Sequence, residues 1–195
     1  MKHKGFLPVF PGFYGTMFEP CEENEIEYWS SETGKELDYD DLIFDYDEYQ
    51  ENAARGCCDF IEYKLNELGF SIKVEYEGIA FPNYYNFSND SINCTYDFDK
   101  DEIRRITTYL LDNLDDFKGY LEGKYTSYDG FISWYSNKPL EWMEYLNTFP
   151  NDDNMHMLSS ILEFILTNEL GNDIMWSMFD SIPDNHLTAS LKESE

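Results

Sequence analysis

The segment Met155–Leu170, MHMLSSILEFILTNEL, is apolar on almost every side when it is drawn as a helix. A helix without a polar face is stable in water only when other elements surround it. The segment therefore predicts a buried central helix around which the rest of the chain must pack. With 42% apolar and 18% aromatic residues, the chain has enough side-chain area to form such a core.

Further helices are predicted from apolar residues at helical spacing and from residues that suit helix ends. The strongest prediction is residues 46–68, because Gly69 follows them where a C-terminal cap belongs. The others are a helix opened by the capping-box pair Asp99 and Glu102, a short continuation over residues 115–122, a helix that starts at Pro139, and a short helix over residues 173–182.

Strands are predicted where apolar and polar residues alternate, at Ser71–Tyr76 and Ile92–Phe98. The proline-broken segment Leu7–Phe18 is interpreted as an edge strand or two short strands, with Ile26–Trp29 as a possible partner. Asp129-Gly130, between aromatic flanks, predicts a hairpin turn.

The order of these elements predicts an α+β fold. It would hold a small antiparallel sheet from the N-terminal half, packed with several helices, and a helical C-terminal half. We expect one domain over residues 1–183, followed by a flexible polar tail over residues 184–195.

Acidic residues dominate the charge of the chain, with 40 acids against 13 bases and a net charge of −27. They form two blocks. Residues 19–51 contain 14 acids and one base, and residues 125–195 contain 12 acids and two bases. The middle, residues 52–124, is nearer to balance, with 14 acids and 8 bases. Such a charge repels nucleic acid, so we expect no direct binding of DNA or RNA.

Within the first block, Glu36–Glu51 reads ELDYDDLIFDYDEYQE and has eight acids and four Tyr or Phe residues. We call residues 36–51 the acidic stretch. Like charges at positions i and i+4 of a helix are destabilising, and the pairs Asp41–Asp45 and Asp47–Glu51 have this spacing. The cost suggests selection for a basic partner. A solubilising surface and adaptation to high salt are the alternatives.

Motifs for catalysis or metal binding are missing or incomplete. The stretch Asp97–Glu102 begins like a calcium-binding loop, but it lacks the later glycine and glutamate ligand positions. Glu62 and Lys64 have the spacing of a metal-dependent nuclease motif, but they fall inside a predicted helix instead of a strand. We therefore expect no enzymatic activity and no cofactor.

The location of the protein is predicted from further absences. No run of 18 apolar residues suggests a membrane span, and the N-terminus lacks the pattern of a secretory signal. The four cysteines form no C-x-x-C pair and are expected to be free thiols. The expected location is the cytoplasm.

The density of negative charge is comparable to that of DNA. B-DNA carries one charge per roughly 1.7 Å of its axis, so 27 charges match about 46 Å, or about 14 base pairs. A compact chain of this length has a diameter of about 40 Å. Carboxylates on rigid elements can occupy phosphate positions, and Tyr and Phe between them can anchor an interface.

In size and composition the chain resembles the DNA-mimic proteins of phages and mobile elements, which block restriction enzymes or CRISPR nucleases. The segments Pro82–Asn93 and Tyr125–Asn137, PNYYNFSNDSIN and YTSYDGFISWYSN, are also similar to segments of small proteins from phages and mobile elements of gut bacteria. The resemblance implies inhibition of a host defence nuclease through a basic nucleic-acid-binding surface. The alternative is an acidic interaction or adaptor module without mimicry.

The candidate site follows from the acidic stretch, in which carboxylates would replace phosphates and tyrosines would be anchors. Tyr46 and Tyr49 have helical spacing and could instead face the core. A monomer or homodimer is expected. Met143, Met175, Trp176 and Met178 could support a dimer if exposed, but they serve equally well as core residues. The predicted partner-binding residues are Asp38, Tyr39, Asp40, Asp41, Asp45, Tyr46, Asp47, Glu48, Tyr49 and Glu51.

Overall fold

The computed structural model describes residues 2–8, 22–79, 92–125, 138–147, 155–179 and 189–192. In these ranges the chain has the predicted α+β fold, with two antiparallel sheets and several helices. The strands are β1 (Lys2–Phe6), β2 (Leu42–Phe44), β3 (Lys73–Ile79), β4 (Ile92–Asp97) and β5 (Ala189–Leu191). The helices are α1 (Glu22–Thr33), α2 (Tyr46–Glu67), α3 (Lys100–Asp112), α4 (Leu114–Tyr125), α5 (Pro139–Leu146), α6 (Met155–Leu170) and α7 (Ile174–Phe179).

The main sheet has the order β1-β4-β3, and both pairings are antiparallel. On its inner face, Tyr96 of β4 lies opposite His3 of β1 and Val74 of β3, and all three are buried. Helix α2 packs against β3 and helix α6 against β1. The core therefore lies between one face of this sheet and the helices.

At Gly5 of β1 the backbone lies directly against a core side chain. A Cβ atom at this position would lie 2.5 Å from Cε2 of the Tyr96 ring. That ring is fully buried, and its hydroxyl donates a hydrogen bond to the carbonyl of Phe6 at 2.6 Å. The ring cannot withdraw without breaking this bond, so position 5 requires glycine.

We expect Gly5→Ala to lower the free energy of unfolding by about 1–3 kcal/mol, because it overpacks a filled core. Urea denaturation monitored by circular dichroism would measure the change. Gly119→Ala in α4 is the matched control, since no atom lies within 4 Å of an added Cβ there. In a helix interior this change should be stabilising by about 0.5–1 kcal/mol. Equal stability of Gly5→Ala and wild type would contradict the prediction.

Helix α2 confirms the strongest sequence prediction. Asp45 is its N-cap and accepts a hydrogen bond from the N–H of Glu48 at 2.9 Å. At the other end, Gly69 has φ 88°, the left-handed conformation that favours glycine. The N–H of Phe70 bonds to the carbonyl of Leu65, and that of Gly69 to the carbonyl of Asn66. These two bonds form a Schellman motif, which ends the helix.

Helix α6 is the predicted central helix, and every residue from 157 to 166 is buried. Phe164 packs on Phe117 of α4 at a ring-centroid distance of 4.9 Å, and Phe117 meets Trp142 of α5 at 6.1 Å. Pro139 opens α5 as predicted, and Asp99 caps α3 by accepting from the N–H groups of Asp101 and Glu102. The predicted capping box is only half formed, because the Glu102 side chain pairs with Arg105 at 3.4 Å.

The N-terminal strand starts earlier than predicted. It occupies Lys2–Phe6, whereas most of the predicted Leu7–Phe18 segment lies outside the described residues. The buried members of β1 are His3 and Gly5, which are not apolar, so alternation of apolar residues gave no signal for this strand. The predicted hairpin at Asp129-Gly130 also lies outside the described residues.

The prediction of a strand at Ile26–Trp29 is wrong, because these residues lie inside helix α1. A short apolar run does not distinguish a strand from one face of a helix. The flanking residues favour the helix: Glu22, Glu23 and Glu25 occupy the first turn, where carboxylates interact favourably with the helix dipole.

The predicted polar tail contains a strand. Ala189–Leu191 forms β5, which pairs antiparallel with β2 so that Ile43 lies opposite Ser190. The prediction of a flexible tail is therefore wrong for these three residues. The strand is too short for its alternation to be visible in the sequence, and its partner is far away along the chain.

Candidate acidic interface

The acidic stretch folds into three consecutive pieces: a 3₁₀ turn over Tyr39–Asp41, strand β2 and the first turns of α2. The structure brings the predicted carboxylates together on this continuous segment. All seven predicted acids of the segment are exposed: Asp38, Asp40, Asp41, Asp45, Asp47, Glu48 and Glu51.

Two of these carboxylates hold the 3₁₀ turn in place by a capping box. Asp38 accepts a hydrogen bond from the N–H of Asp40 at 2.9 Å. In return, Asp41 accepts one from the N–H of Asp38 at 3.0 Å. Both bonds run to backbone amides, which orient the two side chains without a Lys or Arg partner.

Asp45 likewise accepts a hydrogen bond from a backbone amide at the start of α2, where it is the N-cap. Asp47 and Glu48 follow in the first helical turn, where the positive end of the helix dipole stabilises carboxylates. Glu51, one turn later, pairs with Arg55 at 3.6 Å. The acids therefore have favourable local interactions that charge counting alone did not reveal.

One of the two like-charge pairs is not a helical pair. Asp41 ends the 3₁₀ turn and Asp45 precedes α2, so strand β2 separates them. The predicted i,i+4 repulsion between them is therefore wrong. Asp47 and Glu51 do lie on one helix at that spacing.

The three predicted tyrosine anchors have different surroundings. Tyr39 is 48% exposed and stacks on Phe44 with ring centroids 5.1 Å apart. Tyr49 is partly buried against the hydrophobic core, so its ring is mainly a packing residue. The side chain of Tyr46 lies outside the described part of the chain. Ile43 on β2, which was not predicted, is 54% exposed and adds apolar surface beside the acids.

The stretch is supported by two elements that the sequence did not connect with it. Buried Glu25 of α1 accepts a hydrogen bond from the N–H of Ala189, and Trp29 donates from Nε1 to the carbonyl of Ala189 at 3.0 Å. Lys192, the residue after β5, holds the end of the 3₁₀ turn, because its N–H donates to the carbonyl of Asp41 at 2.9 Å. Helix α1 and strand β5 thus hold the acidic stretch in place through hydrogen bonds and the pairing of β5 with β2.

Helix α1 also enlarges the acidic surface. Its residues Glu23, Glu27 and Glu32 are exposed, and the segment that follows α1 is tied back to it by a bond from the N–H of Leu37 to Ser30 Oγ at 3.2 Å. These glutamates were part of the acidic block in the sequence but were not among the predicted site residues.

The outer face of the main sheet has a different electrostatic character. Glu75 of β3 lies between Lys2 of β1 and Lys73 of β3 and accepts hydrogen bonds from both ammonium groups. These bonds hold the pKa of the Glu75 carboxyl at about 2. On this face an acid is held by two bases, whereas in the acidic stretch Asp38, Asp41 and Asp45 bind backbone amides.

We expect Glu75 to contribute to stability at neutral pH and to lose that contribution in acid. Its pKa is lower in the folded state than the ordinary value of about 4.3, so unfolding takes up a proton below that pH. The contribution is complete above about pH 4.3 and is lost as pH falls through about 2. Thermal melts of wild type and Glu75→Gln should differ at pH 7 and converge near pH 2. A carboxyl titration by NMR with a midpoint near 4 would contradict this.

Glu62 and Lys64, which have the spacing of a nuclease motif, both make structural contacts. Glu62 accepts a hydrogen bond from the N–H of Val74 at 2.8 Å, which ties α2 to β3. Lys64 pairs with Glu67 at 2.8 Å on the same helix. Across the described ranges, no group of three or more His, Cys, Asp or Glu side chains is placed to hold a metal ion.

The residues proposed for a dimer are mostly part of the core. Met143, Met175 and Met178 are buried, so of the two interpretations of these residues the core is confirmed and the exposed dimer surface is wrong. Trp176 is 57% exposed. Helical spacing alone does not distinguish a core face from an exposed one, and the packing of α5 and α7 places the three methionines inside and Trp176 outside.

The prediction of free thiols is confirmed for three of the four cysteines. Cys57, Cys58 and Cys94 are unbridged and buried, and burial raises the pKa of the Cys57 thiol. Cys21 lies outside the described residues.

In the part of the chain that the structure describes, none of the helices has the length and apolar character needed to cross a lipid bilayer. Comparison of the chain with protein-family models, with curated proteins and with solved structures found no match.

Proposed function

We propose that this chain is an acidic DNA mimic that inhibits a basic nucleic-acid-binding protein, with a host defence nuclease of the restriction or CRISPR type as the target. It acts in the cytoplasm by occupying the surface that otherwise holds nucleic acid. It needs no cofactor and catalyses no reaction. The observation that supports this proposal is the way in which Asp38, Asp41 and Asp45 are held by backbone amides.

A backbone N–H group fixes a carboxylate without cancelling its charge. A Lys or Arg partner would fix it too, but the pair would be nearly neutral at a distance. The acids on the outer face of the main sheet have such partners, as Glu75 does with Lys2 and Lys73. In the acidic stretch, by contrast, Asp38, Asp41 and Asp45 are exposed carboxylates held by backbone amides, as phosphates are held at fixed spacing along a nucleic-acid backbone, while Glu51 pairs with Arg55.

Rigid charge benefits both the speed and the strength of binding. A field of one sign steers a partner of opposite sign and raises the association rate, an effect that salt screens within about 10 Å at 0.1 M. Groups already in their bound positions lose little conformational entropy on binding. Exposed Tyr39 and Ile43 then add the apolar contact that a stable interface requires.

The same charge leads us to expect that the chain does not bind nucleic acid itself. With a net charge of −27, it repels phosphates at ordinary salt. A mobility-shift assay with random duplex DNA should show no complex at micromolar protein. A complex at that concentration would contradict mimicry and would return attention to Glu62 and Lys64.

The proposal is tested by competition on purified targets. A restriction endonuclease without Mg²⁺ and a guide-loaded CRISPR nuclease would each be bound to labelled duplex DNA. The chain should displace DNA from at least one of them, and its affinity should fall steeply between low and physiological salt. Binding without displacement, or with little dependence on salt, would indicate an adaptor module instead. Failure to bind either target would reject inhibition of these nuclease classes.

A further inference from the structure

Strand β5 is held along both of its edges. On one edge it pairs antiparallel with β2. On the other edge, α1 contacts a single residue of the strand. Buried Glu25 accepts a hydrogen bond from the N–H of Ala189, and Trp29 donates one from Nε1 to the carbonyl of Ala189 at 3.0 Å. Helix α1 and strand β2 therefore form the two sides of a groove that contains β5.

The two contacts from α1 recognise the backbone of the bound strand. In an extended strand the N–H and the carbonyl of one residue point to the same edge, so Ala189 turns both groups toward α1. Glu25 and Trp29 are four residues apart on one face of α1, which places both side chains over the same residue. Main-chain hydrogen bonds of this kind give proteins their affinity for an added peptide strand.

The groove restricts the side chains of its occupant at one position. Among residues 189–192, Ala189 is 8% exposed, whereas Ser190, Leu191 and Lys192 are exposed. The enclosed position suits a small residue, and the three that follow tolerate other side chains. The groove therefore fits an extended segment with a small residue at the enclosed position.

The surroundings of the groove favour a basic occupant. The N–H of Lys192 donates to the carbonyl of Asp41, and its ammonium group donates to the carbonyl of Asp40, so the occupant leaves the groove beside two exposed acids. The sequence of this chain then continues with Glu193 and Glu195. Like charges repel, so a segment with Lys or Arg at these two positions suits the acidic surroundings better.

We propose that the groove between α1 and β2 is a peptide-binding site, which residues 189–192 of the chain itself occupy when no partner is bound. The partner is an extended basic segment of another protein. It has a small residue at the position of Ala189 and Lys or Arg from the position of Lys192 onward. This inference goes beyond DNA mimicry, because it concerns a strand added to β2 and does not require a nucleic-acid-binding target.

The test uses the full-length chain and two synthetic peptides with blocked N-termini. The native peptide has the sequence of residues 187–195, and the basic peptide has Lys in place of Glu193 and Glu195. The basic peptide should bind roughly 10-fold more tightly at low salt, and the difference should shrink as salt is raised. Hydrogen exchange of the isotope-labelled chain should show displacement: amides of residues 189–192 lose protection, while those of α1 and β2 keep it.

Two variants of the full-length chain separate the groove from its own occupant. Ala189→Pro removes the N–H group from which Glu25 accepts, so it should loosen β5 and bind the basic peptide more tightly than wild type does. Trp29→Phe keeps a ring but removes the N–H donor, and peptide binding should weaken about 2- to 10-fold. Protection of α6 amides establishes that each variant is folded.

A third peptide tests the enclosed position. It has Leu at the position of Ala189 and is otherwise the basic peptide, and it should not bind, because that position has no room for a large side chain. Binding as tight as that of the basic peptide would overturn the selection of a small residue.

The remaining outcomes decide whether the groove binds a partner at all. Absence of peptide binding by both wild type and Ala189→Pro overturns the peptide-binding site. Equal binding of the native and basic peptides overturns a basic partner and makes a second copy of this chain the occupant. None of these measurements involves DNA, so DNA mimicry is judged separately by the competition assay on nucleases.

Discussion

The variant in which Asp40, Asp41, Asp45 and Asp47 are all replaced by Asn is expected to fold normally and to lose most of its affinity for the target. Asn matches Asp in shape, and its carbonyl oxygen can still cap the turn and helix α2. The net charge falls in magnitude from −27 to −23, because four exposed carboxylates are removed. The variant therefore tests the charge of the surface and not its shape.

The expected loss of affinity is large. A carboxylate about 4 Å from a base in water contributes about 1 kcal/mol. Four removals should weaken binding by about 4 kcal/mol, or roughly 10³-fold, and inhibition and competition with DNA should weaken together. Isothermal titration at two salt concentrations would measure the loss, and the remaining binding should depend less on salt.

The matched control for this variant removes the same charge elsewhere. Asp59, Asp112, Asp115 and Asp116 are all exposed and lie outside the acidic stretch. Their replacement by Asn should leave affinity within a few-fold of wild type. Equal losses in both variants would mean that total charge matters and position does not. Full inhibition by the first variant would make the stretch a solubilising surface and direct the search for the contact to residues 129–184.

Deletion of residues 189–195 is expected to release the acidic stretch from the fold. The deletion removes the partner strand of β2 and the N–H group of Ala189 that buried Glu25 accepts from. Glu25 then loses a hydrogen-bond donor and Trp29 an acceptor, and lost bonds of buried groups are costly, so α1 should detach or become hydrated. Helices α2 and α6 should remain, because their buried contacts lie in the main core.

Hydrogen exchange resolved by residue would measure this effect. Amides of α1 and β2 should lose protection, those of α6 should keep it, and affinity for the target should fall. Deletion of residues 193–195 alone is the control, because it leaves β5 and Lys192 in place. Unchanged protection of α1 after the longer deletion would show that β5 does not hold this region.

The elements that could be predicted are those whose signal is local. Helix α6 is apolar all round, and α2 has both helical spacing and a glycine stop, so both were recognised. In strand β4, apolar and polar residues alternate over the whole length of the strand. Strand β1 was missed because its inward residues are His3 and Gly5, and Gly5 is required by the Tyr96 ring from another strand.

For the candidate site, the sequence predicted which acids lie on the segment. It did not predict the long-range hydrogen bonds that hold the segment in place. The spacing of Asp38 to Asp41, and of Asp45 to Glu48, is that of capping residues, a signal present in the sequence but not used. The contacts of Glu25 and Trp29 with Ala189 join residues far apart along the chain, so no local sequence pattern predicts them. The position of Tyr49 against the core, by contrast, was predictable, because its helical spacing with Ala53 and Cys57 offered that alternative to an exposed anchor.

The distance along the chain between α1 and β5 has a consequence for the timing of synthesis. Trp29 and Ala189, which share a hydrogen bond, are 160 residues apart. At about 5–20 residues per second, a ribosome makes β5 roughly 8–32 s after α1. During this interval the nascent chain already has the charge of the acidic stretch but lacks the strand that shapes it. Under the proposed function, this nascent chain would attract basic molecules near the ribosome without holding them, and tight binding of the target would begin only after β5 had emerged.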